Sequence, residues 1–273
     1  MADDLTDFAT LETIARDLAL AAGRLIVDER PVGLGVAATK SSATDVVTEM
    51  DRRSEQLLQD ELTRRRPDDG LLGEEGASTV GTSGITWVVD PIDGTVNYLY
   101  QLPAYAVSVA ACTGDPSQPE LLEPVAGAVY NPITGELFHG HRGGGAHLSI
   151  REVTQSLRAS QEGDLSLALL GTGFGYEAQI RRRQGALLAE LIGDVRDVRR
   201  GGSAALDLCS VAAGRLDVYY ESGLNPWDRA AGQLLVQEAG GVVRIEDEQP
   251  GRLMVIAGSP ALVDELAPRV TTR

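Results

Sequence analysis

Residues 87–95 read Trp87-Val88-Val89-Asp90-Pro91-Ile92-Asp93-Gly94-Thr95. An apolar strand runs into a carboxylate. Proline then forbids continued strand pairing, and a second carboxylate stands three residues on. Gly94 and Thr95 open a helix on this reading, with free N–H groups facing outward. Two carboxylates and an intervening backbone carbonyl suit divalent cations, and the amides of a helix start suit phosphate oxygens. Taken alone, the stretch reads equally well as an Asp-Pro turn followed by an Asp N-cap.

Carboxylates elsewhere change that balance. Glu74-Glu75 follows the short apolar run Leu71-Leu72-Gly73 and precedes Gly76. Asp228 follows Pro226-Trp227 and opens a predicted helix over 229–238, where N-capping is the plainer role. Glu221 ends a predicted strand over 216–220. Asp51 lies one turn beyond Val47 on a helix predicted over 45–66. Oxygen-only donors suit Mg²⁺ and Mn²⁺ better than Zn²⁺. The three histidines are His139, His141 and His147. His139-Gly140-His141 places two imidazoles on one strand face but has no Cys or carboxylate beside it, so it reads as a surface hairpin. There is no Gly-x-Ser-x-Gly elbow and no Walker-type loop. Gly171-Thr172-Gly173-Phe174-Gly175 has the wrong spacing for a dinucleotide loop and reads as a loop packed near the site.

Around these motifs the pattern divides into two halves. In residues 1–150, Phe8, Leu11, Ile14, Ala15, Leu18, Ala22 and Leu25 share one helix face, broken by Pro31 and Gly33. A loop over 35–44 and the 45–66 helix follow. Strands are then predicted over 71–73, 86–89, 105–112, 125–130 and 136–140, the last two joined as a hairpin by 131–135. This half is α+β, with a largely antiparallel sheet and most of the candidate metal ligands. In residues 151–273, strands over 165–170, 195–198, 216–220, 241–245 and 253–257 alternate with helices over 176–192, 203–213, 227–238 and 260–270. That half is α/β. No linker separates the halves, so one shared active site is expected.

Composition excludes some functions. With 273 residues, 43% of them hydrophobic, the chain can bury a sizeable core. A formal net charge of -16 repels nucleic acid, and Arg181-Arg182-Arg183 reads as a solvated helix face. Cys112 and Cys209 lie in apolar surroundings and read as buried free thiols. No apolar run is long enough for a membrane span, and Met1-Ala2-Asp3-Asp4 is acidic where a signal peptide is basic. The chain reads as cytoplasmic.

Gly73-Glu74-Glu75, Asp90-Pro91-Ile92-Asp93-Gly94-Thr95 and Trp227-Asp228-Arg229-Ala230-Ala231-Gly232 together resemble the three best-known motifs of the inositol monophosphatase family, in order and at suitable spacing. Lys40-Ser41-Ser42 through Val47-Thr48 and Asp51 looks like the family's flexible loop and following helix. Residues 200–209 and Tyr219-Tyr220-Glu221 look like its substrate-side segments. The resemblance spans nearly the whole chain. It implies a layered αβαβα sandwich, a homodimer, lithium sensitivity, and two or three Mg²⁺ ions per site, with Mn²⁺ as a substitute. Glu74, Asp90, the Ile92 carbonyl, Asp93 and Asp228 would hold metal. Gly94 and Thr95 would bind phosphate. Asp93, Gly202, Ser203, Ala204 and Glu221 would contact the substrate alcohol.

The implied reaction is hydrolysis of a phosphorylated polyol, inositol-1-phosphate first, without a covalent intermediate. Glu74, Thr95 and Asp51 are the catalytic candidates, the Thr95 hydroxyl being expected to pair with Glu74. Pro226 before Trp227, Ser203 where Thr is frequent, and the proline-containing connection over 115–124 leave substrate preference open to histidinol phosphate or fructose-1,6-bisphosphate. A regulatory or scaffold protein that kept the fold, and a simple acidic cation-binding module, are the other readings.

Overall fold

A computed structural model describes residues 7–40, 46–249 and 251–271. Helix α1 (Phe8–Asp28) starts at Asp7, whose carboxylate accepts the Ala9 N–H, and buries Leu11, Ala15, Leu18, Ala22 and Ile26 at helical spacing. Strands β1 (Ala38–Thr39) and β2 (Val46–Val47) form a two-stranded ribbon. Helix α2 (Glu49–Arg65) therefore begins later than position 45. β-Branched Val46 and Val47 extend, and Thr48 caps the helix in a reciprocal box with Asp51. Residues 41–45, part of the expected flexible loop, lie outside the described residues.

The larger sheet comprises β3 (Gly70–Gly73), β4 (Ser78–Thr79), β5 (Ile85–Asp93), β6 (Ala106–Thr113), β7 (Glu123–Asn131), β8 (Glu136–His141), β9 (Gly145–Ile150) and β10 (Val153–Ser156), with the short helix α3 (Thr95–Leu99) after β5. Its order is β10-β9-β8-β7-β6-β5-β3-β4, antiparallel except for the parallel β3–β5 pair. Strand β5 runs through Pro91 instead of stopping there. Strands β9 and β10 extend the predicted hairpin, their pattern hidden by the glycines at 143–145.

The smaller sheet has the order β12-β11-β13-β15-β14. Its elements are β11 (Leu169–Thr172), α4 (Ala178–Leu191), β12 (Asp197–Arg199), α5 (Ala204–Ala212), β13 (Val218–Ser222), α6 (Pro226–Glu238), β14 (Val242–Gln249), β15 (Arg252–Gly258) and α7 (Pro260–Thr271). The strand predicted over 165–170 is instead a 3₁₀ turn at Leu165–Leu167, capped by Asp164, and only then β11.

Alternation along β6 sorts the layers. Val107, Val109 and Ala111 face the core shared with α1 and α2, while Ala106, Ala110 and Cys112 face the core shared with α5 and α6. On the far side of the smaller sheet, Leu191 of α4 and Leu262, Val263 and Leu266 of α7 pack on Leu170, Val218 and Ile256. The result is an αβαβα sandwich. Helices α5 and α6 cross closely because Gly232 has no side chain; a Cβ there would meet Leu208 at 2.6 Å. Cys112 and Cys209 are buried and free.

The histidine pair is a correction. His139 is only 4% exposed, beneath α1 instead of on a surface hairpin. Its Nδ1–H donates to Glu12 at 2.5 Å, its Nε2 faces Ser149 Oγ at 2.9 Å, and His141 donates to the other Glu12 oxygen. The carboxylate missing from the local sequence comes from a helix more than a hundred residues away. Burial alone would raise the Glu12 pKa, but the two imidazoles hold it down at about 2.

Candidate active site

The cleft forms where β3 and β5 end side by side. Gly73 pairs with Val89 as the last β3–β5 pair, so Glu74 and Asp90 follow it as neighbours. Residues three apart on a regular strand point to opposite faces. Here the β5–β6 register slips between Asp90 and Asp93: Asp90 faces Ser108 and Asp93 faces Ala106, so three steps on β5 span two on β6. That bulge turns both carboxylates to one side. Asp228 arrives from the first turn of α6. Carboxylate oxygens of Asp90, Asp93 and Asp228 lie within 4.8 Å of one another.

Each aspartate is held by the surrounding backbone. Asp90 accepts the Ile92 N–H at 3.0 Å. Asp93 Oδ2 accepts the Ala205 N–H at 2.7 Å and the Ser203 hydroxyl, at the start of α5. Asp228 accepts the Asn225 N–H at 2.6 Å; Asn225 is the N-cap of α6, so Asp228 is the reciprocal member of a capping box and not the cap expected from the sequence. Gly94 sits at φ +89, a conformation L side chains rarely adopt, and a Cβ would stand 3.0 Å from the Ala104 carbonyl.

The expected pairing of Thr95 with Glu74 is not made. Thr95 Oγ1 instead lies 3.0 Å from both Asp51 Oδ1 and the Ile92 carbonyl. Asp51 is buried on the first turn of α2, where its other oxygen accepts the Thr48 N–H at 2.8 Å and the Thr48 hydroxyl. It reaches the cleft only through Thr95. Glu74 is paired with Lys40 Nζ at 2.7 Å, and Lys40 also meets Glu75. Glu74 Oε2 is buried with no hydrogen-bond partner among the described residues.

The cleft holds about 280 Å³. Gly202, Ala204 and Glu221 line it as expected. Ser203 does not; it is 1% exposed and turned onto Asp93. The Gly173–Gly175 loop lines the cleft too, and the Tyr219 hydroxyl donates to Glu221. Arg200, which opens the segment expected on the substrate side, and Arg252, which the sequence reading did not single out, complete the wall. Glu55 was also missed. It accepts the Glu75 N–H at 2.8 Å and the Ala77 N–H at 2.9 Å, fixing the turn that carries Glu74. Its position one helical turn after Asp51 was the available signal. Of the three consecutive arginines, Arg181 is half-buried and bonds the Gly175 and Tyr176 carbonyls.

Burial pushes the carboxyls of Glu74, Asp90, Asp93, Asp228 and Glu221 upward, with the neighbouring carboxylates adding to the shift for the three aspartates and Glu74. Burial likewise raises Asp51 to about 6. Lys40 brings a positive charge onto Glu74, and Arg200 and Arg252 partly offset the burial of Glu221. Clustered buried carboxylates of this kind require protons or a cation. The donor set, oxygen only and with one orphaned carboxylate oxygen, fits a hard divalent ion.

The inositol monophosphatase family model matches residues 7–270. The chain belongs to that family. Among the family's named members, the inositol-1-monophosphatase SuhB of Mycobacterium tuberculosis is 44% identical over 274 aligned residues, covering 94% of this chain and 92% of the relative. The Nus factor SuhB of Salmonella typhimurium is 38% identical over 92% of each chain. The solved structure of Mycobacterium tuberculosis SuhB superposes with a TM-score of 0.82 at 43% identity, covering 97% of this chain and 96% of that one. No helix among the described residues is long and apolar enough to cross a membrane.

Proposed function

We propose that this chain is a Mg²⁺-dependent phosphomonoesterase acting on inositol-1-phosphate, as a homodimer sensitive to lithium. The observation that carries the reading is the convergence of Asp90, Asp93 and Asp228, from a bulged strand and a distant helix, within 4.8 Å in one cleft. Glu74, Asp90, the Ile92 carbonyl, Asp93 and Asp228 would hold the ions, and Mn²⁺ would substitute. The bound metal supplies Lewis-acid polarisation of the phosphate and a water acidic enough to attack it.

The chain's own groups do the rest. The Gly94 and Thr95 amides orient the phosphate. Thr95 Oγ1 takes a proton from the attacking water as its own passes toward Asp51 Oδ1, which is ionised above about pH 6 and so able to receive it. Asp51 replaces Glu74 as the partner of Thr95 in this scheme. Lys40 holds Glu74 Oε1, and Oε2, which has no hydrogen-bond partner among the described residues, would be the oxygen that meets metal. Gly202, Ala204 and Glu221 meet the alcohol, whose vicinal hydroxyls suit a carboxylate acceptor.

Phosphate release measured side by side on inositol-1-phosphate, histidinol phosphate and fructose-1,6-bisphosphate tests the reading, with Mg²⁺ and after EDTA. Highest kcat/KM is expected for inositol-1-phosphate, with inhibition by Li⁺ and loss on chelation. Preference for histidinol phosphate would overturn the substrate assignment. The name of the Salmonella relative, a Nus factor, favours a second reading in which the fold serves regulation. Absence of Mg²⁺-dependent release across the panel would select it. Sedimentation equilibrium checks the dimer.

A further inference from the structure

A second cavity of about 230 Å³ lies behind the substrate wall, between α4 and the smaller sheet. Leu187, Met254 and Val270 give it an apolar floor. Two polar side chains line it, each with a buried donor that has no hydrogen-bond partner among the described residues. Gln184 is 7% exposed, and its Oε1 accepts the Gly175 N–H at 2.8 Å, which fixes the orientation of the amide. Its Nε2 is buried and makes no hydrogen bond among the described residues. Tyr220 is 3% exposed. Its hydroxyl stands near Thr172 Oγ1 across the β11–β13 pairing, yet neither forms a bond of good geometry.

Native interiors rarely leave buried donors unpaired, because each forfeits its hydration for nothing. Two such donors facing one largely apolar cavity define a complement. Of the charged groups at its edge, Arg183 is engaged with Gln249, Glu248 is engaged with Ser222 and Arg252, and Glu190 is exposed to solvent. We infer that this cavity binds a small uncharged molecule, an apolar ring or short chain carrying one carbonyl-type acceptor that takes hydrogen bonds from Gln184 Nε2 and the Tyr220 hydroxyl.

The occupant would speak to the active site. Gly173 and Ser222 line both the cavity and the cleft. A Cβ on Gly173 would stand 1.8 Å from Glu221 Oε2, so the backbone there lies directly against that carboxylate. Gln184 holds the same loop through Gly175. Filling the cavity therefore shifts the wall that meets the substrate alcohol, and the effect falls on KM before kcat. This coupling rests on the phosphatase reading; the binding does not.

The test uses cyclohexanone as the acceptor-bearing probe and benzene as a ring without an acceptor. Both are titrated into metal-free, ¹⁵N-labelled protein while the Gln184 side-chain amide is followed by NMR. Cyclohexanone is expected to shift that amide saturably and to bind about fivefold to tenfold more tightly than benzene. Leu187→Trp, which fills the cavity, abolishes the shift and by the same coupling moves KM without probe while leaving kcat in place. Gln184→Glu keeps the acceptor for Gly175, removes the donors and weakens cyclohexanone. A cavity holding water only gives no saturable shift, and that result overturns the site. Equal binding of benzene overturns the acceptor role, and a shift that survives Leu187→Trp overturns the cavity as its site. With Mg²⁺ and inositol-1-phosphate, an unchanged KM at saturating cyclohexanone overturns the coupling. Absence of turnover in untreated protein would instead be a failure of the phosphatase reading.

Discussion

Asp93 has two duties. Its Oδ2 accepts from Ser203 and Ala205 at the start of α5, while the carboxylate as a whole belongs to the acidic cluster. Asn keeps an acceptor for α5 and loses the charge. Asp93→Asn should therefore fold normally by circular dichroism yet lose at least about a hundredfold in kcat/KM; near-wild-type activity would remove Asp93 from the metal site. The raised carboxyls set a pH dependence of stability. Asp51 has an ordinary value of 3.8 and is lifted to about 6 by burial, so the folded chain holds that proton more tightly than the unfolded chain does. Its contribution favours folding below the ordinary value and is lost as pH rises through the folded one. Calorimetry of EDTA-treated protein should show Tm falling between about pH 4 and about pH 6, with Mg²⁺ raising Tm more at pH 7 than at pH 5. A flat Tm across that window contradicts the buried-carboxylate account. The identity of the clustered residues was legible in the sequence only through the three family motifs in combination, because each carboxylate taken alone also suits a turn or a helix cap. The partner of Thr95 was not: Asp51 lies 44 positions away, and only the packing of α2 against β5 brings it there.

At the scale of elements, the middle-layer helices begin at the cleft. Ser203 caps α5 by accepting the Leu206 N–H at 3.3 Å and donates to Asp93. Ser203→Ala should cost about 1 kcal/mol, a Tm loss of about 2–4 °C, and should raise the Mg²⁺ concentration needed for half-maximal activity. A stability loss with unchanged Mg²⁺ dependence would limit Ser203 to capping. Element type was readable wherever periodicity ran long, as in α1, α6 and β6. It failed where a short side-chain device decided the boundary. The Thr48–Asp51 box delayed α2, the bulge carried β5 past Pro91, and the Asp164 cap replaced the start of a strand with a turn. None of these leaves a mark on hydrophobic spacing, which is what the strand and helix predictions weigh.

Over the whole molecule, Glu12 ties the first helix to β8 through His139 and His141. Its carboxyl is held at about 2, below the ordinary 4.5, so this stabilisation is complete above the ordinary value and is lost as pH falls toward the folded one. Glu12→Ala should lower Tm at pH 7, and the gap to wild type should narrow below about pH 4. A gap constant down to about pH 3 would mean that Glu12 contributes packing alone. The layered architecture was expected from the family motifs, whereas this clamp was invisible because its carboxylate and imidazoles sit in different halves of a single packed layer pair. The capping of α6 by Asp228 and the grip of Asp93 on α5 bear on descent. A descendant that abandoned hydrolysis would still need an acceptor at both positions, as Asp or Asn, to keep its central helices seated. Glu74 is different, since its Oε2 has no hydrogen-bond partner among the described residues. Drift away from glutamate at that one position is the earliest inheritable trace that a lineage of this fold has stopped being an enzyme.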